Sequence, residues 1–131
     1  MKKYSSVVVP LMFLLLLVSC SKIDGFFAFK KFQDTSYKKY SIHKEFSRNE
    51  SVKWMFVASK VSSPTKIGVL LLKRELVWVP VSSRKEIIHL TKRRIYGEIK
   101  DLEAGNYKIL ITNIKKGNSI VGQCLFKVFE E

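Results

Sequence analysis

From Ser51 to the C-terminus, apolar residues either alternate with polar ones or form short runs, and no stretch of useful length carries a 3.6-residue stripe. A chain patterned this way buries one face of each of several strands; it does not build helices. The stretch SVKWMFVAS puts Val52, Trp54, Phe56 and Ala58 on one face. KIGVLLLKR and ELVWVPV are short apolar runs parted by charges, and the turn residues Ser62, Ser63 and Pro64 precede the first. Pro80 has no ladder donor, so it marks an edge strand or a strand end. KEIIHL is a shorter candidate, and RRIYGEIKDL sets Ile95, Gly97 and Ile99 on one face.

The last thirty residues read as a hairpin. Tyr107, Ile109 and Ile111 alternate with Lys108, Leu110 and Thr112. Gly117 and Asn118 end the turn, and both tolerate the positive φ that a tight hairpin needs. Beyond it, Ile120, Gly122, Cys124, Phe126 and Val128 form the expected inward row. The outward row, Val121, Leu125 and Phe129 with Leu110 beside it, stays partly apolar. That row is either a docking face or a face covered by residues 26–46.

Six or seven short strands joined by turns predict a β-sandwich or a barrel. DLEAGNYKILI narrows the choice, because it resembles the tyrosine corner of immunoglobulin-like and fibronectin-like domains. The resemblance implies an all-β fold, a small immunoglobulin-like antiparallel β-sandwich of about seven strands. In it RRIYGEIKDL is strand E, 107–114 strand F and 119–129 strand G, and the Tyr107 hydroxyl bonds back to the backbone just upstream. Position 109 is isoleucine, where a disulfide-bridged antibody-type domain has cysteine.

The N-terminus carries a different signal. Lys2 and Lys3 precede an apolar run from Val7 to Val18, which ends in Ser19, Cys20 and Ser21. Twelve helical residues reach ~18 Å, short of the ~30 Å hydrocarbon core of a bilayer, so a cleaved secretory signal fits better than a spanning helix. Leu17-Val18-Ser19-Cys20 resembles the lipobox of bacterial lipoproteins. That resemblance implies cleavage before Cys20, a diacylglycerol on its sulfur and acylation of the new amino end. The chain then divides into a signal peptide, 1–19, a lipid-anchored tether, 20–45, and a β-sandwich, 46–131. The tether holds Phe26, Phe27, Phe29 and Phe32. These either lie at the membrane interface beside Lys30 and Lys31 or form a first strand on the core.

Loss of Lys2 and Lys3 lowers the formal charge from +13 to +11, still strongly basic. Such a surface attracts anionic polysaccharide, anionic lipid or acidic envelope and host proteins, and salt weakens the attraction. Lys92, Arg93 and Arg94 with Lys115 and Lys116 are the candidate anionic contacts. Nucleic acid is excluded by the export address. If Cys20 is acylated, Cys124 has no intrachain partner, and its inward position makes it a small buried hydrophobe. His43 and His89 stand in no ligand spacing, and no catalytic or phosphate-binding motif occurs, so no metal, no cofactor and no enzyme activity is expected. The function expected is a non-catalytic binding or adhesion module, lipid-anchored in the bacterial cell envelope on its periplasmic face or outer surface. The alternative is a structural lipoprotein subunit of an envelope assembly with no ligand of its own.

Overall fold

A computed structural model describes residues 25–31, 34–39, 44–59 and 61–130. The signal peptide and Cys20 lie outside the described residues. Among the described residues nine strands make two sheets: β1 (Gly25–Lys31), β2 (Lys38–Lys39), β3 (Lys44–Ser47), β4 (Val52–Ala58), β5 (Thr65–Arg74), β6 (Trp78–Ile88), β7 (Arg94–Ile99), β8 (Gly105–Asn113) and β9 (Ser119–Phe129). One sheet has the order β2-β1-β4-β7 and the other β3-β9-β8-β5-β6. All pairings are antiparallel except β3 with β9. A single 3-10 turn, Ile114–Lys116, joins β8 to β9, followed by Gly117 and Asn118 at φ 62° and 58°.

The core lies between the sheets and is built from the alternating rows. Val52, Trp54, Phe56 and Ala58 of β4 face Ile67 and Val69 of β5, Ile109 and Ile111 of β8, and Cys124, Phe126 and Val128 of β9. Phe27 packs on Phe56 with ring centroids 4.9 Å apart, and Phe46 bridges Phe29 and Phe126 at 5.5 and 6.0 Å. The Phe29–Phe46 contact joins the two sheets, while the other two tilted pairs lie within one sheet each; all add to the area that the rings bury.

The sandwich begins earlier than expected. β1, β2 and part of β3 fall inside the segment 20–45, read as a tether with the option of a first strand. β1 pairs with β4 at seven positions and buries Phe27 and Phe29, so of the two readings for these rings the strand holds. β6 is also longer than read. The end of ELVWVPV and the start of KEIIHL belong to one strand, Trp78–Ile88, and Pro80 sits inside it. It is tolerated because β6 is an edge strand, and because the pairing with β5 slips beside it, leaving Val81 as an extra residue.

A second slip corrects the row assignment in β9. Ile111 pairs with Gly122 but Thr112 pairs with Ile120, so Val121 is the extra residue. Alternation inverts there: Val121 packs on the core, and Ile120, expected inward, is 59 % exposed. Leu125 and Phe129 stay exposed on the outer face. The described strands of the preceding segment do not cover them, because β1 and β2 lie in the opposite sheet and β3 lies beside β9 at the edge.

Candidate binding groove on the five-stranded sheet

The outer face of the five-stranded sheet has its own apolar floor. Along β5, Ile67, Val69 and Leu71 turn to the core, which sends Leu70, Leu72 and Arg74 outward. Leu72 faces Lys108 on β8 and Pro80 on β6, and it is only 8 % exposed although it does not belong to the core. Leu110 and Leu125 continue this floor on β8 and β9. The next strand-end pair, Arg74 with Trp78, sets an indole on the same face.

Trp78 gathers charge. The Lys108 ammonium lies 4.3 Å from its ring centroid, and the Arg74 guanidinium 5.8 Å. A cation over an indole gains about 0.5–1 kcal/mol at an exposed site, enough to hold a long side chain in one place. A groove of about 380 Å³ opens beside the ring, lined among others by Lys44, Glu45, Arg74, Trp78, Leu125 and Lys127. None of Lys44, Arg74, Lys108 or Lys127 forms an ion pair among the described residues. Lys44, Arg74 and Lys127 against Glu45 leave the lining with net positive charge, and Lys108 over Trp78 adds a fourth cation beside it.

The neighbouring Lys73 is handled differently. Strand parity turns it away from the groove, where its ammonium pairs with Glu103 at 3.2 Å and Glu75 at 3.5 Å. The hydrogen bond to Glu103 leads in raising its pKa. Beneath the groove, Tyr107 stacks on Phe126 at 5.5 Å, and its hydroxyl donates to the Glu103 carbonyl at 2.7 Å, four residues upstream. This is the hydrogen bond of a tyrosine corner, and it ties the β7–β8 crossing to the base of β8. Burial pushes the Tyr107 pKa up, so the hydroxyl stays a donor at neutral pH.

The basic residues singled out from the sequence lie elsewhere. Lys92 and Arg93 are in the β6–β7 turn, Arg94 opens β7, and Lys115 and Lys116 are in the β8–β9 turn. Arg94 pairs with Val57 at the end of β4, while Asn113 pairs with Ile67 near the start of β5. The short connection 59–64 joins those two strand ends, so both turns lie at one end of the sandwich. Lys92 is held to Glu86 at 3.4 Å, whereas Arg93, Arg94, Lys115 and Lys116 form no ion pair among the described residues.

The groove residues are signalled only indirectly in the sequence. Lys108 opposite an outward Leu125 was readable, but Trp78 and Arg74 read as ordinary strand residues. His89 sits in the β6–β7 turn, not within a strand as its surroundings imply, and its Nδ1 lies 2.8 Å from the Thr91 hydroxyl. Cys124 is buried in the core row of β9. Among the described residues no cluster of three or more histidine, cysteine or carboxylate side chains could hold a metal ion.

No family model and no curated protein sequence matches the chain. Solved structures do. The soluble domain of PmoD from Methylocystis sp. (Rockwell) is 13 % identical with a TM-score of 0.55, over 79 % of this chain and 89 % of that one. An immunoglobulin-like protein of Pseudomonas aeruginosa is 12 % identical with a TM-score of 0.50, over 82 % and 95 %. At such identities the likeness speaks for the fold alone, and with the two-sheet topology it makes this chain an all-β sandwich of immunoglobulin-like architecture.

Proposed function

We propose that the chain is a non-catalytic binding module, anchored in the bacterial cell envelope by lipid on Cys20, whose outer-sheet groove takes an acidic polysaccharide. The observation that carries this reading is the pair of cations held against Trp78, Arg74 and Lys108, beside a groove lined by Lys44 and Lys127, all four without an ion pair among the described residues. Cations already fixed in place lose little freedom on meeting carboxylates or sulfates, which is how a shallow site gains affinity. The groove is open rather than enclosed, as an extended polymer requires.

Heparin serves as the probe. The full chain is titrated at low and at raised ionic strength, with Trp78 fluorescence as the readout. Binding that weakens with salt and falls about tenfold in Arg74→Gln/Lys108→Gln supports the groove, at roughly the loss expected for two partly screened contacts. Unchanged binding in that variant, together with loss in Lys115→Gln/Lys116→Gln, refutes it.

A second reading, a structural subunit of an envelope assembly, draws on one observation. Leu76, fully exposed, and Val77 form the tip of the β5–β6 hairpin beside the open β6 edge. Exposed apolar groups at a sheet edge are a docking point for another chain. Co-purification of a stoichiometric partner lost in Leu76→Asp distinguishes this reading from a free polymer-binding module.

A further inference from the structure

The two ends of the fold differ in how their charge is paired. At one end lie the start of β1, the connection 59–64, the β6–β7 turn and the β8–β9 turn. Among the described residues of 58–67, 88–94 and 113–120 there are six cations, Lys66, Lys92, Arg93, Arg94, Lys115 and Lys116, and no acid. At the other end acids are neutralised in ion pairs: Asp34 with Lys38, Glu50 with Lys31, Glu75 and Glu103 with Lys73, and Glu130 with Arg48. The basic end also shows apolar side chains to solvent. Leu90 at the tip of the β6–β7 turn is 73 % exposed, and Ile120 stands beside the β8–β9 turn.

The chain enters at this basic end. Gly25 pairs with Ala58, whose amide donates to the Arg93 carbonyl at 2.8 Å. Two strand spacings of ~4.8 Å therefore separate Gly25 from the β6–β7 turn. Cys20 is five residues before Gly25. Whatever its conformation, a link of that length spans at most ~18 Å. Ten residues of β5 put the hairpin tip and the Trp78 groove ~33 Å further along the sandwich.

We infer that the basic end is a membrane-contact surface: it rests on the anionic headgroups of the leaflet that holds the Cys20 lipid, with Leu90 entering the interface, and the groove points away. This rests on the anchoring reading, since the short link is what confines this end to the surface. Lysines and arginines near an anionic leaflet each raise the bound fraction about fivefold, within a Debye length of ~8 Å. The far end lies ~33 Å along the sandwich, beyond the reach of the link, so it is the tether that selects which end meets the leaflet.

The test uses the full acylated chain on phosphatidylcholine vesicles with and without phosphatidylglycerol. Amine acetylation is followed residue by residue by mass spectrometry. Expected is severalfold slower acetylation of Lys66, Lys92, Lys115 and Lys116 on the anionic vesicles, with Lys44 and Lys127 unchanged. In Arg93→Gln/Arg94→Gln/Lys115→Gln/Lys116→Gln, Lys66 and Lys92 should return to the rate seen on phosphatidylcholine. A chain that floats with both vesicles but shows equal rates, or protection at Lys44 and Lys127 instead, overturns the orientation and leaves the anchor standing. A chain that floats with neither, like its Cys20→Ala variant, overturns the anchoring reading and the orientation with it.

Discussion

Gly97→Ala is the substitution that tests the packing of the four-stranded sheet. Gly97 on β7 is directly opposite Trp54 on β4, and the Trp54 indole lies flat across it. A Cβ at position 97 would fall inside the ring's own volume, against Cε2, Cζ2 and Nε1. The ring has little room to yield, because Phe27 flanks it at 6.0 Å and the Arg84 guanidinium lies over it at 5.7 Å. Swinging the indole into water gives up roughly 150–250 Å² of burial, about 4–6 kcal/mol at ~25 cal/mol per Å². Shifting β7 instead costs about 1–3 kcal/mol, as overpacking does. The strand shift is cheaper, and alanine recovers about 0.5–1 kcal/mol of backbone entropy over glycine. The net loss is then about 1 kcal/mol, or roughly 4 °C in Tm for a domain of this size. Urea unfolding followed by tryptophan fluorescence measures it. The pair Trp54→Leu/Gly97→Ala should lose less than the sum of its parts, because the two changes share one volume. A Gly97→Ala protein as stable as the parent, or more stable, would refute the reasoning, since strand propensity alone predicts that result.

Further predictions concern the corner and pH. Tyr107→Phe leaves the Glu103 carbonyl without its 2.7 Å donor and should cost about 1 kcal/mol, seen as a lower urea midpoint with unchanged slope. Burial raises the Tyr107 pKa, and the hydrogen bond to Glu103 raises that of Lys73. Both groups thus bind their protons more tightly when folded. Their contribution is complete below the unfolded values near 10 and is lost as pH rises through the higher folded values. Urea midpoints should be flat from neutral pH to about 9.5 and fall beyond it, less steeply in Tyr107→Phe. A midpoint that rises above pH 10 would contradict the sign.

The strands were legible wherever a period of two ran uninterrupted. β4, β7, β8 and the inward row from Gly122 to Val128 lie where the alternation puts them. What escaped was where the period breaks. Ile120, Val121 and Leu125 are equally at home on either face of a strand, so composition carries no mark of the extra residue at Val121. Pro80 signalled an edge, but only the partner strand reveals that β6 continues past it. The groove escaped for a topological reason: Arg74, Lys108 and Lys127 meet because β8 pairs with both β5 and β9, and β5 is thirty residues away in sequence. Outward parity was readable at each position, but adjacency of the strands was not.

Lipid attachment is the claim on which the address, the partner class and the membrane orientation all depend. It is tested most directly by the intact mass of the protein extracted from membranes, measured beside Cys20→Ala. The account predicts a mass equal to residues 20–131 plus acyl chains, and loss of that species in the variant. A mass equal to the whole unmodified chain would contradict it, leaving residues 1–19 as an uncleaved anchor and Cys20 as a thiol.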